Sequence, residues 1–396
     1  VKVGADQQFH LTYCLNIHPG ETWSDQRTAI ERWATEVKSR VAPDRPFGLG
    51  LRLSRRAADD MSDPRLRQEV RRWLEGVGCY AFTVNAFPYG TFHGRAVKEA
   101  VYAPDWRTPE RLNYTIRVAE ILADLLPAGV AGSISTVPGS YRAWIESEDA
   151  ERAVARGLAD AAWVLDEIER KTGRMIALAL EPEPDCLLET TGDCVRFWSE
   201  ILLLEGMQRL WDRSGSFERA ESCLRRHIGV CVDTCHLAIQ FESPETAVAS
   251  LAAAGIAIPK VQLSAALRGA VTPDTVRRLG VFVDGVYLHQ TRIRRGDGSV
   301  ERWPDLTAAC LASLLPDPGS EVRSHFHVPL HFESDGDLES TASDLTPGLF
   351  RAVANAGCRH LEIETYTYDV LPEALRAPTI VESIVREYRT VLGRLR

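Results

Sequence analysis

Ile176-Ala-Leu-Ala-Leu-Glu181 alternates without a break between two kinds of side chain. Successive residues of a strand point to opposite faces, so Ile176, Leu178 and Leu180 share one side while Ala177, Ala179 and Glu181 share the other. Small residues leading to an acid are poor filling for the space between two packed sheets. They suit the inner side of a closed parallel barrel, where the apolar parity faces an outer ring of helices. Leu49-Gly-Leu-Arg-Leu53 and Leu361-Glu-Ile-Glu364 repeat the arrangement and set Gly50, Arg52, Glu362 and Glu364 on that inner side.

Outward from these segments, short apolar runs recur between long amphipathic stretches, the pattern of repeated strand and helix units. Eight runs read as strands: Leu11 to Ile17, Phe47 to Leu53, Ala81 to Phe87, Ala131 to Val137, Met175 to Glu181, Ile228 to Asp233, Pro259 to Ser264 and Arg359 to Glu364. The expectation is an α/β fold, a (β/α)₈ TIM barrel, with residues 1–396 as one domain. Thr108-Pro109-Glu110, Ser243-Pro244-Glu245 and Thr272-Pro273-Asp274 each offer a capping hydroxyl, a proline for the first helical position and an acid for the first turn. Apolar spacing predicts helices over Trp106 to Leu126, Glu146 to Thr172 and Cys194 to Arg213. The rhythm breaks between the seventh and eighth strands, where residues 280–346 read as an insertion. Within it, Gly285 to Ile293 and Ser299 to Trp303 flank the turn Arg294-Arg-Gly-Asp-Gly298 as a hairpin, and Ser324 to Phe332 reads as a further strand.

The composition is that of a soluble globular enzyme, 45% hydrophobic and 26% charged. A net charge of −9 makes nucleic acid a poor partner. No stretch approaches the roughly 20 apolar residues of a membrane span, and the amino terminus has no signal pattern, so a cytoplasmic protein is expected. Nine scattered cysteines fit reduced thiols, and Cys231 with Cys235 lacks the second pair that a zinc–thiolate site needs.

Barrels of this kind do their chemistry at the carboxyl ends of their strands. Those ends collect Asn16 and His18, Asn85, Glu181 with Glu183, Asp233 with His236, Gln262, Glu364, and His325 with His327. Hard carboxylate and amide oxygens mixed with imidazoles suit divalent manganese, magnesium, zinc or iron. Each residue also has a plain structural reading. Glu181 before Pro182 can end a strand, Asp233 can cap the helix after it, and Gln262 can orient a ligand as readily as bind an ion. His18, Glu21, Asn85, Tyr89, Phe92 and His93, on the first and third strand ends and a glycine-rich loop, are candidates for touching a substrate.

In strand order these segments resemble the xylose isomerase-like barrels, a superfamily of sugar isomerases and epimerases that includes the endonuclease IV group. Gly229-Val-Cys-Val-Asp-Thr-Cys-His236 is similar to the strand and DTCH motif of that group, Leu180-Glu181 to its first metal glutamate and Ile363-Glu-Thr365 to its last. His325-x-His327 resembles its DxH loop, and Val137-Pro-Gly-Ser140 its HPGS turn without the histidine. Gln262 stands where most relatives have a metal-binding histidine, and Asn85-Ala-Phe-Pro-Tyr89 lacks another. The resemblance implies a central metal group of Glu181, Asp233, Gln262 and Glu364, with His236, His325 and His327 as a second group, and it argues against a three-zinc repair nuclease.

Leu11-Thr-Tyr-Cys-Leu-Asn-Ile-His-Pro-Gly-Glu-Thr-Trp23 and Phe87-Pro-Tyr-Gly-Thr-Phe-His-Gly94 look like the signature stretches of the EboE metabolite traffic group. That likeness implies a setting in secondary-metabolite export or biosynthesis. Proton transfer between neighbouring carbons of a polyhydroxylated small molecule needs an ion and two flanking carboxylates, roles that fall to Glu181 and Glu364. A metabolite carrier and a metal-dependent phosphodiester hydrolase are the alternatives, the second disfavoured by charge and by the missing histidines.

Overall fold

The computed structural model describes residues 1–92, 97–314 and 317–395. All eight apolar runs form parallel strands: β1 Phe9–Tyr13, β2 Phe47–Arg52, β3 Cys79–Asn85, β4 Gly132–Thr136, β5 Ile176–Leu180, β6 Ile228–Asp233, β7 Ala257–Leu263 and β8 His360–Ile363. Neighbours run β1, β8, β7, β6, β5, β4, β3, β2, with the short strand Lys2–Val3 antiparallel outside β1. A parallel bridge from Cys14 to Gly50, helped by Gly50 N–H donating to Thr12 Oγ1 at 2.9 Å, joins β1 to β2 and closes the (β/α)₈ barrel. Among the described residues no helix is long and apolar enough to cross a membrane.

The alternation works as its sequence suggests. Leu49, Leu51, Leu178, Leu180, Leu361 and Ile363 are buried in one continuous hydrophobic cluster, while the opposite parity fills the barrel axis with small and polar groups. A Cβ on Gly50 would collide with the Glu362 carboxylate, which is why a glycine is needed there. The first strand lies earlier than expected. Its N-terminal residues pair with β8, and Leu15–Ile17 coils into a 3₁₀ turn that delivers Asn16 to the barrel mouth.

The outer helices start on the expected hydroxyls at Thr108 and Thr272, which accept from Arg111 N and Thr275 N. Ser243 differs, since Pro244–Ala253 begins there without a side-chain cap bond. The helix expected over Cys194 to Arg213 is broken by a π turn at Phe197–Leu202 between Thr191–Arg196 and Leu203–Ser214.

Between β7 and β8 the chain builds a second, antiparallel sheet. Its order is Val300–Trp303, Thr291–Arg294, Glu321–Ser324, Leu267–Ala270, Leu338–Ser340, Ser334–Asp335. The sheet begins at Leu267, ahead of Gly280, because Leu267–Ala270 pairs with both Glu321–Ser324 and Leu338–Ser340. The hairpin turn is present, but its first strand is shorter than expected, Thr291–Arg294. The strand expected from Ser324 to Phe332 is corrected: the strand ends at Ser324, and residues 325–329 are irregular. His325 N–H is drawn to Gln290 O at 2.9 Å and Val328 N–H to Ala265 O at 3.0 Å, and these bonds pull the segment off the sheet toward the barrel mouth.

Candidate metal centre

β5, β6, β7 and β8 end side by side, so their last inward residues converge. Glu181 follows β5 with its N–H on Thr136 O at 3.0 Å, and Glu364 follows β8 with its N–H on Leu263 O at 3.0 Å. Asp233 ends β6 and caps Thr234–Ile239: Oδ1 accepts from His236 N–H at 2.9 Å and from Ser264 Oγ at 2.7 Å. The capping role is therefore real, and it uses one oxygen. Asp233 Oδ2 and Glu181 Oε2 are buried with no hydrogen-bond donor among the described residues. Asn16 and Asn85 both donate to Glu364 Oε1, at 2.8 and 3.1 Å. One oxygen from each of Glu181, Asp233 and Glu364 lies within 4.8 Å of the others. That separation admits one ion at the roughly 2.0–2.6 Å that hard cations keep from oxygen. Buried carboxylate oxygens left without donors are costly unless a cation meets them, so the donor set fits a divalent metal.

Gln262 enters this group as a donor. Its Nε2 faces Glu181 Oε1 at 3.1 Å and Glu364 Oε2, while its Oε1 accepts from Cys231 Sγ at 2.7 Å. The reverse amide orientation would press an oxygen against two carboxylates. In this arrangement the glutamine ties the glutamates together rather than offering an oxygen ligand.

Beside the carboxylates lies a group of three imidazoles. His236 Nδ1 donates to Pro182 O at 2.8 Å, His327 Nδ1 to Glu364 O at 2.8 Å and His325 Nδ1 to Gln290 Oε1 at 2.6 Å. Each bond fixes the tautomer that leaves Nε2 as a lone pair, the usual outer-shell arrangement for histidines that bind metals. His325 Nε2 and His327 Nε2 are 3.0 Å apart. Burial, with His236 beside them, pushes His325 far below the usual range and His327 down to about 4, so neither ring readily takes a second proton. Two facing lone pairs repel each other unless a cation lies against both. Asp233, His236 and His327 form one set with ligand atoms within 4.8 Å, and Cys235 with His325 and His327 forms another.

The electrostatics favour positive charge here. Burial pushes Glu181 up to about 8 against the pull of His236, and burial with Glu181 and Asp233 nearby pushes Glu364 well up. Burial also opposes the charge on Asp233, but His236, His327 and the bonds from His236 N–H and Ser264 together hold it below the usual carboxylate range. His236 is raised despite burial by Asp233, Glu183 and Glu181.

Glu181, Glu364 and the three imidazoles line a cavity of about 60 Å³, room for a few waters, with Asp233 and Gln262 outside its wall. Asn85 and Phe92 are in its wall. Other substrate candidates are elsewhere. His18 is buried with its ring stacked on Trp33 at 4.4 Å and Nε2 3.0 Å from Tyr13 OH. Glu21 is held by Arg52 Nη2 at 3.1 Å and accepts from Phe92 N–H, so it fastens the loop. Tyr89 packs edge-on against Tyr114, outside the cavity wall, and His93 lies outside the described residues. The residues that sequence reasoning passed over are Tyr287 and Tyr366 in the wall and Gln290 behind His325, and Cys235, set aside there as half of a thiolate pair, lies among the imidazoles. Tyr366 had one signal, its position two residues beyond Glu364.

No protein-family model matches the chain, and no curated protein matches it. Among solved structures it is similar to an IolI protein with a bound zinc atom, at 11% identity and TM-score 0.48 over 97% of this chain and 99% of that one. It is also similar to a D-tagatose 3-epimerase-like protein, at 11% identity and TM-score 0.48 over 97% and 98% of the two chains. A third is the probable 3-DHS dehydratase AsbF involved in petrobactin synthesis from Bacillus anthracis, at 9% identity and TM-score 0.46 over 98% and 99%. Likeness at these values assigns no role to any residue here.

Proposed function

We propose that this chain is a metal-dependent isomerase or epimerase acting on a polyhydroxylated small molecule. One observation carries the reading: Glu181, Asp233 and Glu364 converge at the barrel mouth, and one buried oxygen each of Glu181 and Asp233 meets no donor among the described residues. Glu181, Asp233 and Glu364 would hold a divalent ion, with His236, His325 and His327 able to hold a second. Oxygen ligands beside imidazoles suit manganese, zinc, magnesium or iron. When bound, the ion supplies polarisation of neighbouring hydroxyl and carbonyl oxygens.

The chain's own groups do the proton work. Glu181 and Glu364 lie on different strands and face one cavity, so one carboxylate can take a proton from a carbon next to a carbonyl and the other can return one. Asn16 and Asn85 hold Glu364 by one oxygen, and Gln262 keeps the two carboxylates at a fixed spacing.

A cytoplasmic setting and a place in secondary-metabolite traffic belong to the same proposal. The first is supported by nine free, buried cysteines, the second by the two EboE-like stretches. A non-catalytic carrier is the second reading, favoured by Gln262, whose N–H groups fill the space between the glutamates. The test is hydrogen exchange. Metal-loaded protein incubated with free ketoses and cyclic polyol ketones in heavy water should place deuterium on substrate carbon. Glu181→Gln or Glu364→Gln should slow this about 10²–10⁴-fold, the usual contribution of a positioned acid or base. A carrier would bind one of these compounds with no exchange, and that result would overturn the enzyme reading.

A further inference from the structure

The roof of the cavity differs in chemistry from its floor. Phe92, Val97 and Tyr287 form an apolar cluster of their own, against which Tyr366 and Val101 pack. The rings of Phe92, Tyr287 and Tyr366 meet pairwise at 5.2 to 5.3 Å between centroids. The floor beneath is Glu181, Glu183 and Glu364 with the imidazoles. Because the half-open cavity measures about 60 Å³, a larger substrate that reaches the carboxylates displaces part of this ring contact, and displaced rings bare aromatic surface. A ligand with oxygen on every carbon leaves that surface against polar groups. A ligand with an apolar end replaces the contacts that were lost.

Charge narrows the choice further. Among the described residues that line the cavity, Lys98 is the only lysine or arginine, and its Nζ is already held by Asp305 Oδ2 at 2.6 Å and Tyr287 O at 2.8 Å. Arg52 lies behind the Phe92 ring, where Glu21 and the carbonyls of Gly20 and Gly90 take its N–H groups. Among the described residues, a phosphate or carboxylate would therefore meet three glutamates and no arginine or lysine that is not already engaged.

We infer that the substrate of this site is an uncharged molecule with two unlike ends, one oxygen-rich and facing the carboxylates, the other apolar and facing Phe92, Tyr287 and Tyr366. Phosphorylated sugars are rejected. The polar half of this inference rests on the proposed metal-dependent function, and the apolar half rests on the roof alone.

Three probes with one hydroxyketone head separate the terms: dihydroxyacetone, dihydroxyacetone phosphate and 2-hydroxyacetophenone. Calorimetric titration of manganese-loaded protein should show the phenyl probe binding at least about tenfold more tightly than dihydroxyacetone, the value of burying an aromatic ring. The phosphate should bind no better than dihydroxyacetone. Tyr366→Ala should bring the ratio of phenyl to dihydroxyacetone affinity down to about one, whatever it does to both, and Tyr287→Leu should lower the same ratio with less loss of volume. Tightest binding by the phosphate, or no phenyl advantage, would overturn the inference while leaving the metal centre intact. If manganese does not bind, the proposed function fails, and the same tenfold ratio measured on the metal-free protein still decides the apolar half.

Discussion

Glu362 and Glu364 are two residues apart on one strand end, point to the same side and are both buried, yet they belong to different worlds. Glu362 lies in the lower layer of the barrel, where Lys260 pairs with it and also donates to Ser135 Oγ at 3.0 Å. Around them His360 Nδ1 lies 2.8 Å from Ser133 Oγ, and Ser133 Oγ donates to Thr83 at 2.8 Å. One step up the same strands, Glu364 meets Glu181, Asp233 and Gln262, and among the described residues no lysine or arginine pairs with them, Lys260 acting only from the layer below. A buried acid in a barrel is thus not a sign of function by itself. The sign is a buried acid whose layer does not balance. The lower layer sets its acid against a lysine, while the upper one gathers three carboxylates, and the proposed ion rests on that difference in charge.

The largest test of this contrast breaks the lower layer. Lys260→Met should cost about 3–5 kcal/mol in urea unfolding, because it strands Glu362 without a counter-charge, and Lys260→Met with Glu362→Met should recover most of the loss. Glu364→Gln, made in the metal-free protein, should cost little or nothing, since it removes a carboxylate that has no cation. Equal and large losses from both layers would erase the distinction.

A second test works behind the imidazoles. Gln290 accepts from His325 Nδ1 and donates toward Tyr102 OH at 3.1 Å and Pro184 O at 3.2 Å. Gln290→Leu should lower metal affinity about 10–100-fold, the usual value for an outer-shell partner, with the fold intact by circular dichroism. An unchanged affinity would mean that the imidazole group binds no ion.

Taken one pH unit at a time, the smallest effect is the opposite pH response of the two layers. Glu181 is raised to about 8 by burial, so without metal the folded chain keeps a proton that the unfolded chain releases near 4.5. Stability should fall as pH rises through that window, by about 1.4 kcal/mol per unit for the one group, and Glu181→Gln should flatten the fall. His360 in the lower layer is pushed down to about 3 by burial and by His10. Its share of stability is present above pH 6.5 and is lost as pH falls below it. Melting temperatures in chelator across pH 5 to 9 would check both slopes.

Much of this was legible because strand alternation has a period of two. Once Leu178 and Leu180 face the helices, Glu181 has one place to go, and the same logic sets Asp233, Gln262 and Glu364 at the mouth. Other features depended on partners far along the chain. His325 and His327 look like alternate residues of a strand, but Gln290 and Ala265 turn that segment aside. His18 and Glu21 had the position of substrate contacts, and Trp33 and Arg52 absorb them. Whether Gln262 offers oxygen or nitrogen is set by Cys231 on the neighbouring strand. Of the roof only Phe92 was legible, because Tyr287 lies ahead of the strand Thr291–Arg294 and Tyr366 lies in a loop, with no periodicity to place either ring.

Metal content tests the unbalanced upper layer most directly. Wild-type protein purified without chelator and titrated with manganese and zinc should bind at least one ion per chain, and Glu364→Gln should bind at least about 100-fold more weakly while melting as the metal-free wild type does. A wild-type chain that takes up no ion, or a Glu364→Gln chain that binds as tightly as wild type, would contradict it.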